Sequence, residues 1–375
     1  MTKRLLFVVN VDWFFVSHRL PIALAAMEHG YEVHLACALT DKAEQLKALG
    51  ITVHPLPLSR SGTSIQSELR CFYHIYKLVQ YVKPDVIHMV TIKPVLYAGI
   101  ASRLLSVKTR VASISGLGFV FIAQGVKAIV LRTLIAKLYR LALNRKNTQV
   151  IFQNPNDRDL FLKQSIIKSD QVTMIRGSGV SLQDYQVQPE PDGTPVVMLV
   201  ARLLIDKGVL EFVEAARLLK EEQIQVRMVL VGDTDENPKS ISSKQLEEWT
   251  KQGIVEHWGY STNVAETMAK SHIVVLPSYR EGLPKSLIEA AACGRAVITT
   301  DVPGCRDAIT ADETGLLIPV KNATALAKAI AQLAENSTKR QQMGLAGRAL
   351  AEQAFTIEHV IQSHLMIYGG MRTTE

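Results

Sequence analysis

The stretch Arg4–Asn10, RLLFVVN, reads as a strand, and a run of the same kind, VVMLV at Val196–Val200, starts the pattern again in the second half of the chain. Continuous apolar runs of this length are typical of strands buried on both faces of a parallel sheet. Strand-like and helix-like segments alternate after each run, beginning with the helix-like Ser17–His29 and the strand-like Tyr31–Ala36. Repeated βα units predict parallel sheets with right-handed crossovers.

A polar, proline-rich stretch, Gln186–Pro195, separates the two halves and has the composition of a linker. We therefore predict an α/β fold with two Rossmann-like domains, residues 1–185 and residues 186–358. Ligands of open parallel sheets bind beyond the carboxyl ends of the strands. Two such sheets facing each other across a cleft would let two substrates meet there.

Composition and charge narrow the class of protein. The chain has 375 residues, 47% hydrophobic and 21% charged, which describes a globular protein. Its four cysteines form no C-x-x-C pair, so we expect reduced thiols and no zinc or redox centre. No stretch of 18 uncharged apolar residues occurs, and we expect no membrane span. Residues 1–185 carry a net charge of +12 and residues 186–375 a net charge of −5. A basic first half fits either a solvated surface or one that meets an anionic partner.

The segment Pro277–Glu289, PSYREGLPKSLIE, has the pattern of an anion site at a helix start. Pro284 fits the first helical turn, whose free N–H groups suit a diphosphate, and Gly282 would let that backbone approach closely. Glu281 would hold sugar hydroxyls, and Glu289, one turn into the helix, a ribose. Acids are common in a first helical turn, so the spacing alone also fits a helix start without a ligand. The donor-binding residues predicted here are Glu281, Gly282, Leu283, Pro284, Lys285, Ser286 and Glu289.

A second segment, Ala201–Gly208 (ARLLIDKG), follows directly on the strand VVMLV. Arg202 and Lys207 could converge on two phosphates and neutralise a leaving diphosphate without a metal. Taken alone, the pair also fits an exposed basic loop. Gly232, at the end of the next strand of this half, is a further donor-binding candidate.

The two motifs V-A-R-x-x-x-x-K-G and P-S-x-x-E-G-x-P-x-S-x-x-E-A resemble the donor domain of family 4 retaining glycosyltransferases of the GT-B fold. The resemblance continues through Ala292–Val297, Gly304 and Gly315-Leu-Leu. It implies that Arg202 and Lys207 bind the donor diphosphate and that Glu281 contacts the transferred sugar. These three are the predicted catalytic residues. The resemblance also implies that a C-terminal helix, His359–Tyr368, joins the first domain, so that residues 359–375 belong with 1–185.

A closer resemblance is to bacterial transferases that add N-acetylgalactosamine α-1,3 to a sugar on undecaprenyl diphosphate. It rests on Ser17-His-Arg-x-Pro, Gly116-Leu-Gly and Gly232-Asp-x-Asp-Glu-Asn-Pro238. The resemblance implies a UDP-sugar donor, a lipid-diphosphate-linked sugar acceptor and work at the cytoplasmic face of the inner membrane. No nucleic-acid partner and no cofactor are expected.

The first half is expected to hold the acceptor. The turn after its first strand has no G-x-G-x-x-G, which argues against a dinucleotide cofactor. Asp12, His18 and Arg19 are expected to face the cleft, with Arg19 as a candidate for an acceptor phosphate. His18 could move protons or be an ordinary helix histidine. The backbone of Gly116 and Gly118 is expected to approach the sugar.

Residues 124–146 interleave cations with leucine and isoleucine, as in a helix that lies in a lipid interface. The alternative is a helix packed on the domain core with a basic outer face. The predicted membrane contacts are Lys127, Arg132, Lys137 and Arg140.

Two D-x-D patterns, Asp157/Asp159 and Asp233/Asp235, could suggest a metal. The first follows an Asn-Pro-Asn that reads as a helix start, and Arg202 and Lys207 already supply positive charge for phosphate. We therefore predict no metal. Two other functions stay open: an enzyme resembling the UDP-N-acetylhexosamine 2-epimerases, and a sugar-nucleotide-binding protein without activity.

Overall fold

The computed structural model describes residues 2–58, 64–117, 126–235 and 237–370. The chain forms two compact units. The first comprises Met1–Ser178 together with Glu358–Glu375, and the second comprises Gly179–Ile357.

The first unit is built on a seven-stranded sheet of neighbouring parallel strands in the order β3-β2-β1-β4-β5-β6-β7. Its strands are β1 Lys3–Val11, β2 Tyr31–Ala38, β3 Thr52–Pro55, β4 Val86–Val90, β5 Thr109–Ile114, β6 Thr148–Phe152 and β7 Val172–Met174. Its helices are α1 Asp12–His18, α2 Leu20–Glu28, α3 Ala43–Ala48, α4 Ile65–Val82, α5 Ile92–Leu104, α6 Val126–Leu143, α7 Pro155–Lys163 and, from the C-terminus, α14 Ile357–Tyr368.

The second unit has a six-stranded sheet of neighbouring parallel strands in the order β10-β9-β8-β11-β12-β13. Its strands are β8 Val196–Val200, β9 Arg227–Val231, β10 Glu256–His257, β11 Ile273–Leu276, β12 Ala296–Thr300 and β13 Gly315–Ile318. Its helices are α8 Val209–Glu221, α9 Ser243–Lys251, α10 Val264–Ala269, α11 Lys285–Ala292, α12 Ala323–Glu335 and α13 Ser337–Ala354.

Apolar residues on both faces of each sheet explain these layers. Leu5–Val9 in β1 and Ile273–Leu276 in β11 are buried throughout, as expected for strands covered by helices on both sides. Leu6 and Val8 face one core cluster of the first unit, whereas Leu5, Phe7 and Val9 face the other. The prediction of two Rossmann-like α/β domains is confirmed.

Both sheets reverse their strand order at the first strand of the unit. In the first unit β1 lies between β2 and β4, and in the second β8 lies between β9 and β11. A ligand of a doubly wound sheet binds beyond the carboxyl ends of the strands at this reversal. The residues that follow β1, β4, β8 and β11 are therefore in position to form sites.

Two expectations about local structure need correction. Residues 186–195 are not a free linker but lie in the second unit. Arg340 pairs with Glu190 at 2.8 Å, and Arg295 donates to the carbonyls of Gln188 and Pro189. The segment Ser17–His29 is not one helix, because the backbone leaves the helical region at Arg19 and α2 begins only at Leu20. No helix in the described parts of the chain is long and apolar enough to cross a membrane.

Candidate functional site

The candidate site lies at the carboxyl ends of β8, β11 and β12 in the second unit. Lys207 comes from the loop after β8, and its ammonium group contacts Oε1 of Glu281 from the loop after β11. The Ser278 hydroxyl donates to the same oxygen at 2.5 Å. The Lys207 and Glu281 side chains are only 23% and 14% exposed. A cation and an acid that lie 74 residues apart in the chain are thus held together in a largely buried place.

The other predicted cation, Arg202, lies in the same loop but has a different partner. Its Nη1 contacts Oδ2 of Asp235 at 2.6 Å, and the arginine is 39% exposed. Asp235 belongs to one of the two D-x-D patterns, and here it is an ion-pair partner. In the other pattern, Asp157 is buried at the start of α7, where its N–H and carboxylate both bond to Asn154.

Two glycines let the three loops of the site approach each other closely. At Gly208, with φ of +77°, a Cβ would lie 2.2 Å from the carbonyl oxygen of Pro277. At Gly304, with φ of +84°, a Cβ would lie 2.4 Å from the carbonyl oxygen of Glu281. A backbone bond from the N–H of Tyr279 to the carbonyl of Asp206, at 2.9 Å, ties the first two loops together. Since any larger residue would push these backbones apart, glycine fixes the position of Glu281.

Helix α11 presents its N-terminus at this edge of the sheet. It begins at Lys285, so Pro284 is the N-cap residue, and the prediction that Pro284 lies within the first turn is wrong by one position. The first N–H groups of a helix have no partner within the helix and point out of its end. Glu289, 5% exposed, lies one turn in and accepts a bond from the Tyr185 hydroxyl at 2.6 Å and from Lys285 at 3.1 Å. Burial and the neighbouring Glu289 raise the pKa of Tyr185, so its hydroxyl stays a donor.

A cavity of about 310 Å³ opens beyond β9 and β10 of the same sheet. Trp258, Tyr260 and Asn263 contribute to its lining. Gly232 lies beside it, with its N–H bonded to the carbonyl of Gly259 at 2.8 Å and a φ of +132°. A Cβ at Gly232 would lie 2.0 Å from the carbonyl oxygen of Ala201, so glycine is needed there for packing.

Sequence reasoning missed the partners of the predicted donor residues. Ser278 lies in the same motif as Glu281, so its hydroxyl could have been predicted from the sequence as a hydrogen-bond donor to that carboxylate. The bond from Tyr185 to Glu289 could not have been predicted, because the two residues are 104 positions apart in the chain.

In the first unit, Asp12 does not face open solvent. It is fully buried, and its carboxylate accepts bonds from the N–H groups of Trp13 and Thr40 and from the Thr40 hydroxyl, at 2.8, 2.7 and 2.6 Å. These bonds tie the end of β1 to the loop after β2. The expectation that Asp12 faces a cleft is corrected on this ground.

Arg19 is also buried, with 2% of its surface exposed, and the expectation that it faces an open cleft is corrected. Its Nη1 donates to the carbonyl of His18 at 2.9 Å, and burial lowers its pKa to about 10. His18 is half-buried and stacks on Phe14 with ring centroids 4.1 Å apart. Gly116 has a φ of +112°, and Gly118 lies outside the described residues.

Behind Arg19 lies a buried polar cluster that the sequence did not indicate. His88 is fully buried, with Nδ1 bonded to the Tyr368 hydroxyl at 2.6 Å and Nε2 bonded to the Ser113 hydroxyl at 2.7 Å. His364 packs against His88 with ring centroids 5.4 Å apart. Tyr368 and His364 belong to α14, so these contacts fix the C-terminal helix to β4 and β5 of the first unit.

Helix α6 has one face on the core and one in solvent. Tyr139, Ala142 and Leu143 are buried, whereas Lys137 and Arg140 are exposed. Arg132 is half-buried, and the side chain of Lys127 lies outside the described residues. The exposed face also carries the large apolar residues Ile129, Val130, Leu131, Leu134 and Leu141. The helix packs on the core, as the second alternative predicts, but its outer face carries large apolar side chains as well as cations, which that alternative does not predict.

Comparisons with known proteins agree with this architecture. Residues 182–350 match the family model "Glycosyl transferases group 1", and residues 4–154 match "Glycosyl transferase 4-like". A Campylobacter jejuni N,N'-diacetylbacillosaminyl-diphospho-undecaprenol α-1,3-N-acetylgalactosaminyltransferase is 31% identical over 93% of this chain and 94% of its own length. The chain belongs to the family 4 glycosyltransferases of the GT-B fold. The resemblance found in the two motifs is thereby confirmed.

Further relatives extend this picture. An Escherichia coli UDP-Gal:α-D-GlcNAc-diphosphoundecaprenol α-1,3-galactosyltransferase is 21% identical over 82% of this chain and 81% of its own length. The crystal structure of Anabaena HepE in complex with UDP and glucose superposes on this glycosyltransferase with a TM-score of 0.78 at 18% identity, covering 99% of this chain and all of that one. That likeness supports the fold.

Proposed function

We propose that this glycosyltransferase moves a hexose or N-acetylhexosamine from a UDP-sugar to an undecaprenyl-diphosphate-linked sugar, with retention of the anomeric configuration. Our best candidate for the transferred sugar is N-acetylgalactosamine in α-1,3 linkage, since the C. jejuni relative is named for that transfer. The observation that carries the proposal is the contact between Lys207 and Glu281 beside the N-terminus of α11. This site would serve the assembly of a surface glycan such as an O-antigen.

Both cations of the proposed donor site are held on carboxylates. A diphosphate arriving between the α11 N-terminus and the loop 201–208 would replace those carboxylates as the partner of Lys207 and Arg202. Glu281, released from Lys207, would then accept hydroxyls of the transferred sugar. Glu289 keeps one oxygen on Tyr185 and Lys285 and would offer the other to the ribose hydroxyls. The backbone from Gly282 to Ser286 would hold phosphate oxygens.

The chemical step needs stabilisation of the leaving UDP more than it needs a base. The bond from the anomeric carbon to the phosphate oxygen breaks, and negative charge grows on that oxygen while Lys207 and Arg202 neutralise it. The acceptor hydroxyl then bonds to the anomeric carbon from the same face and gives its proton to the departing phosphate oxygen. Positioning and charge stabilisation are enough for this route, which uses no covalent enzyme intermediate.

We assign the acceptor to the first unit. His18, half-buried at the end of α1, and the backbone of Gly116 remain candidates for contact with the acceptor, whereas Asp12 and Arg19 support the site from inside. His18 either moves a proton or serves as an ordinary stacked histidine on Phe14. With a diphosphate-linked lipid as acceptor, we further propose that the reaction takes place at the cytoplasmic face of the inner membrane.

Helices α4, α5 and α6 offer a surface for that membrane. α5 packs against both neighbours, and the outer face of α4 exposes Ile65, Leu69, Tyr73 and Tyr81. Together with the exposed apolar residues and cations of α6, this gives apolar groups for the interface and charges for anionic headgroups. Each cation near such a surface contributes about 1 kcal/mol to binding.

A screen of radiolabelled UDP-sugars against lipid-diphosphate-linked sugars tests the transfer. We expect a UDP-N-acetylhexosamine to give a labelled lipid product with the α configuration, checked by NMR of the product. Incubation with UDP-N-acetylhexosamine in the absence of a lipid acceptor distinguishes a transferase from an epimerase and from a sugar-nucleotide-binding protein. An epimerase would make a new isomer without any lipid, and a binding protein would give neither product nor isomer.

Vesicle co-sedimentation tests the membrane surface. Reversing two charges on α6, Lys137→Glu with Arg140→Glu, is expected to weaken binding to vesicles that contain phosphatidylglycerol. Lys244→Glu with Lys328→Glu, two exposed positions of the second unit, gives the same change in net charge and is expected to have little effect. Equal binding by the two variants would remove α6 from the membrane proposal.

A further inference from the structure

Arg110 at the start of β5 is a buried cation. Only 2% of its surface is exposed. Its Nη2 donates to Oδ1 of Asn147 at 3.0 Å, while its Nε is buried and has no hydrogen-bond partner among the described residues. Asn147 is held in turn by bonds from its amide to the carbonyls of Val107 and Lys108 at 2.9 and 2.6 Å. The guanidinium is therefore fixed in place with donor capacity left over.

Two further arginines lie at the same place. Arg103, near the end of α5, donates from Nη1 to the carbonyl of Leu141 in the last turn of α6, at 2.8 Å. Arg145 follows α6, and its carbonyl accepts the N–H of Thr148, which is the register partner of Arg110 across β5 and β6. The end of α5, the end of α6 and the start of β5 thus bring three arginines into one region of the first unit, and the charges of Arg145 and Arg103 act on Arg110 there.

Within the described residues no carboxylate compensates these charges, since none of the three arginines has a carboxylate oxygen within 4.0 Å there. Asp85 is occupied by Lys108 at 3.6 Å and by the N–H of Arg4 at 3.1 Å. Burial lowers the pKa of Arg110 to about 10, and the positive charges of Arg145 and Arg103 contribute further, so the group stays protonated at neutral pH. A buried cation among like charges is unfavourable unless an anion binds there.

We propose that Arg103, Arg110 and Arg145, here called the arginine cluster, bind a phosphate group. Planar guanidinium groups that donate pairs of hydrogen bonds suit phosphate oxygens. The cluster is distinct from the proposed donor site, since it lies in the first unit at the start of β5, whereas ligands of these sheets bind at the carboxyl ends of strands. The inference does not rest on the proposed reaction.

Two sources of that phosphate are open, a lipid headgroup and a free phosphate ion. Leu104 and Leu141, next to Arg103 and its bonded carbonyl, are 63% and 44% exposed. Apolar side chains beside a phosphate site fit a lipid, whose acyl chains need such contacts. The lipid headgroup is therefore the source that the surroundings favour.

The first measurement is the melting temperature of the full-length protein, with and without inorganic phosphate at constant ionic strength. Phosphate at ten times its Kd is expected to raise the Tm by about 3 °C. This shift should be lost in Arg103→Gln with Arg145→Gln and kept in Lys244→Gln with Lys328→Gln. Phosphate held by the second unit would shift all three proteins equally, so only the difference between the variants reports on the cluster.

The second measurement is co-sedimentation of the same variants with vesicles of phosphatidylcholine containing one-fifth phosphatidic acid. The arginine variant is expected to bind about five-fold more weakly for each lost cation, while the control variant binds as the wild type does. A loss in this arm identifies a lipid headgroup, and a loss of the Tm shift alone identifies free phosphate. If the arginine variant matches the control in both arms, the proposal is wrong.

Arg110→Met gives an independent check on the buried charge. Arg110→Met removes a buried charge among like charges, which is favourable, and also its bond to Asn147, which is unfavourable, so the Tm in phosphate-free buffer is expected to change little. The same variant should lose the phosphate shift. An Arg110→Met protein with a lower Tm and an unchanged phosphate shift would instead make Arg110 a structural cation, and this too would overturn the proposal.

Discussion

β8 in the second unit and β1 in the first unit hold equivalent positions, since the strand order of each sheet reverses there. The polar residues that follow the two strands nevertheless have different partners. After β8, Arg202 is 39% exposed and held on Asp235, which a ligand could replace. After β1, Asp12 is fully buried and bonded to Thr40. The same topology thus supports a partly exposed ion pair between side chains in one unit and a fully buried structural bond in the other.

The difference shows that the position of a residue at a sheet edge does not define its role. What separates the two edges is the kind of partner that each charge has. In the second unit the partners of the cations are carboxylate side chains, whereas in the first the partners of Asp12 are mainly backbone N–H groups, together with the Thr40 hydroxyl. Substitutions at the two edges should therefore affect different quantities, activity in one unit and stability in the other.

The largest effect is expected at Lys207. Lys207→Ala removes a cation from the proposed leaving group, and loss of one such stabilising group lowers kcat/KM by about 100- to 1,000-fold. The measurement is transfer to a lipid-diphosphate-linked sugar, with the fold checked by circular dichroism. Lys328→Ala, an exposed lysine of the same unit, serves as the control and should stay within about two-fold of wild type. Near-normal transfer by Lys207→Ala would mean that Lys207 is not the cation that stabilises the leaving group.

The backbone approach at Gly304 should give the next largest effect. Gly304→Ala adds a Cβ that would lie 2.4 Å from the Glu281 carbonyl, at a φ of +84°. We expect a loss of about 3 kcal/mol in the free energy of unfolding, together with lower transfer activity. The matched control is Gly193→Ala, with a φ of +92° and no atom within 4 Å of the added carbon. Similar losses at both positions would mean that backbone conformation, and not the approach to Glu281, is what matters at Gly304.

The donor motifs could be read from the sequence because their charges lie in short segments with fixed spacing. Arg202 and Lys207 are five residues apart, and Glu281 lies in the loop before α11, whose start is indicated in the sequence by Pro284. The first unit offered no such signal. His88 bonds to residues 25 and 280 positions away, so its cluster depends on the completed fold. Asp12 was misread because an acid after a strand has the same pattern whether its partner is a ligand or the backbone.

Tyr368→Phe tests the structural role of the buried polar cluster around His88 in the first unit. It removes the hydroxyl that bonds to His88 and leaves a buried ring nitrogen without its partner, at a cost of about 2 kcal/mol in the free energy of unfolding. Urea unfolding followed by circular dichroism measures the loss. Tyr73→Phe, at an exposed position of α4, should change stability by less than about 0.5 kcal/mol. If Tyr368→Phe changes activity but not stability, the cluster belongs to the site rather than to the fold.

The smallest expected effect is the pH dependence that this cluster gives to the first unit. Burial, followed by the charge of Arg19, lowers the pKa of His364 to about 3 from its usual 6.5. His364 is therefore neutral when folded and takes up a proton below about pH 6.5 when unfolded, so its contribution to stability falls as the pH falls from 6.5 towards 3. Between pH 7.5 and pH 5.5 we expect a loss of about 1 kcal/mol from this residue.

His364→Gln should flatten that part of the profile when the midpoint of urea unfolding is measured at each pH. His74 gives a matched control, because its Nδ1 bonds to a carbonyl four residues earlier at 2.7 Å, as that of His364 does, but its ring is exposed. His74→Gln should leave the profile unchanged. A steeper profile in His364→Gln, or an equal flattening in both variants, would mean that burial of neutral His364 is not the source of this pH dependence.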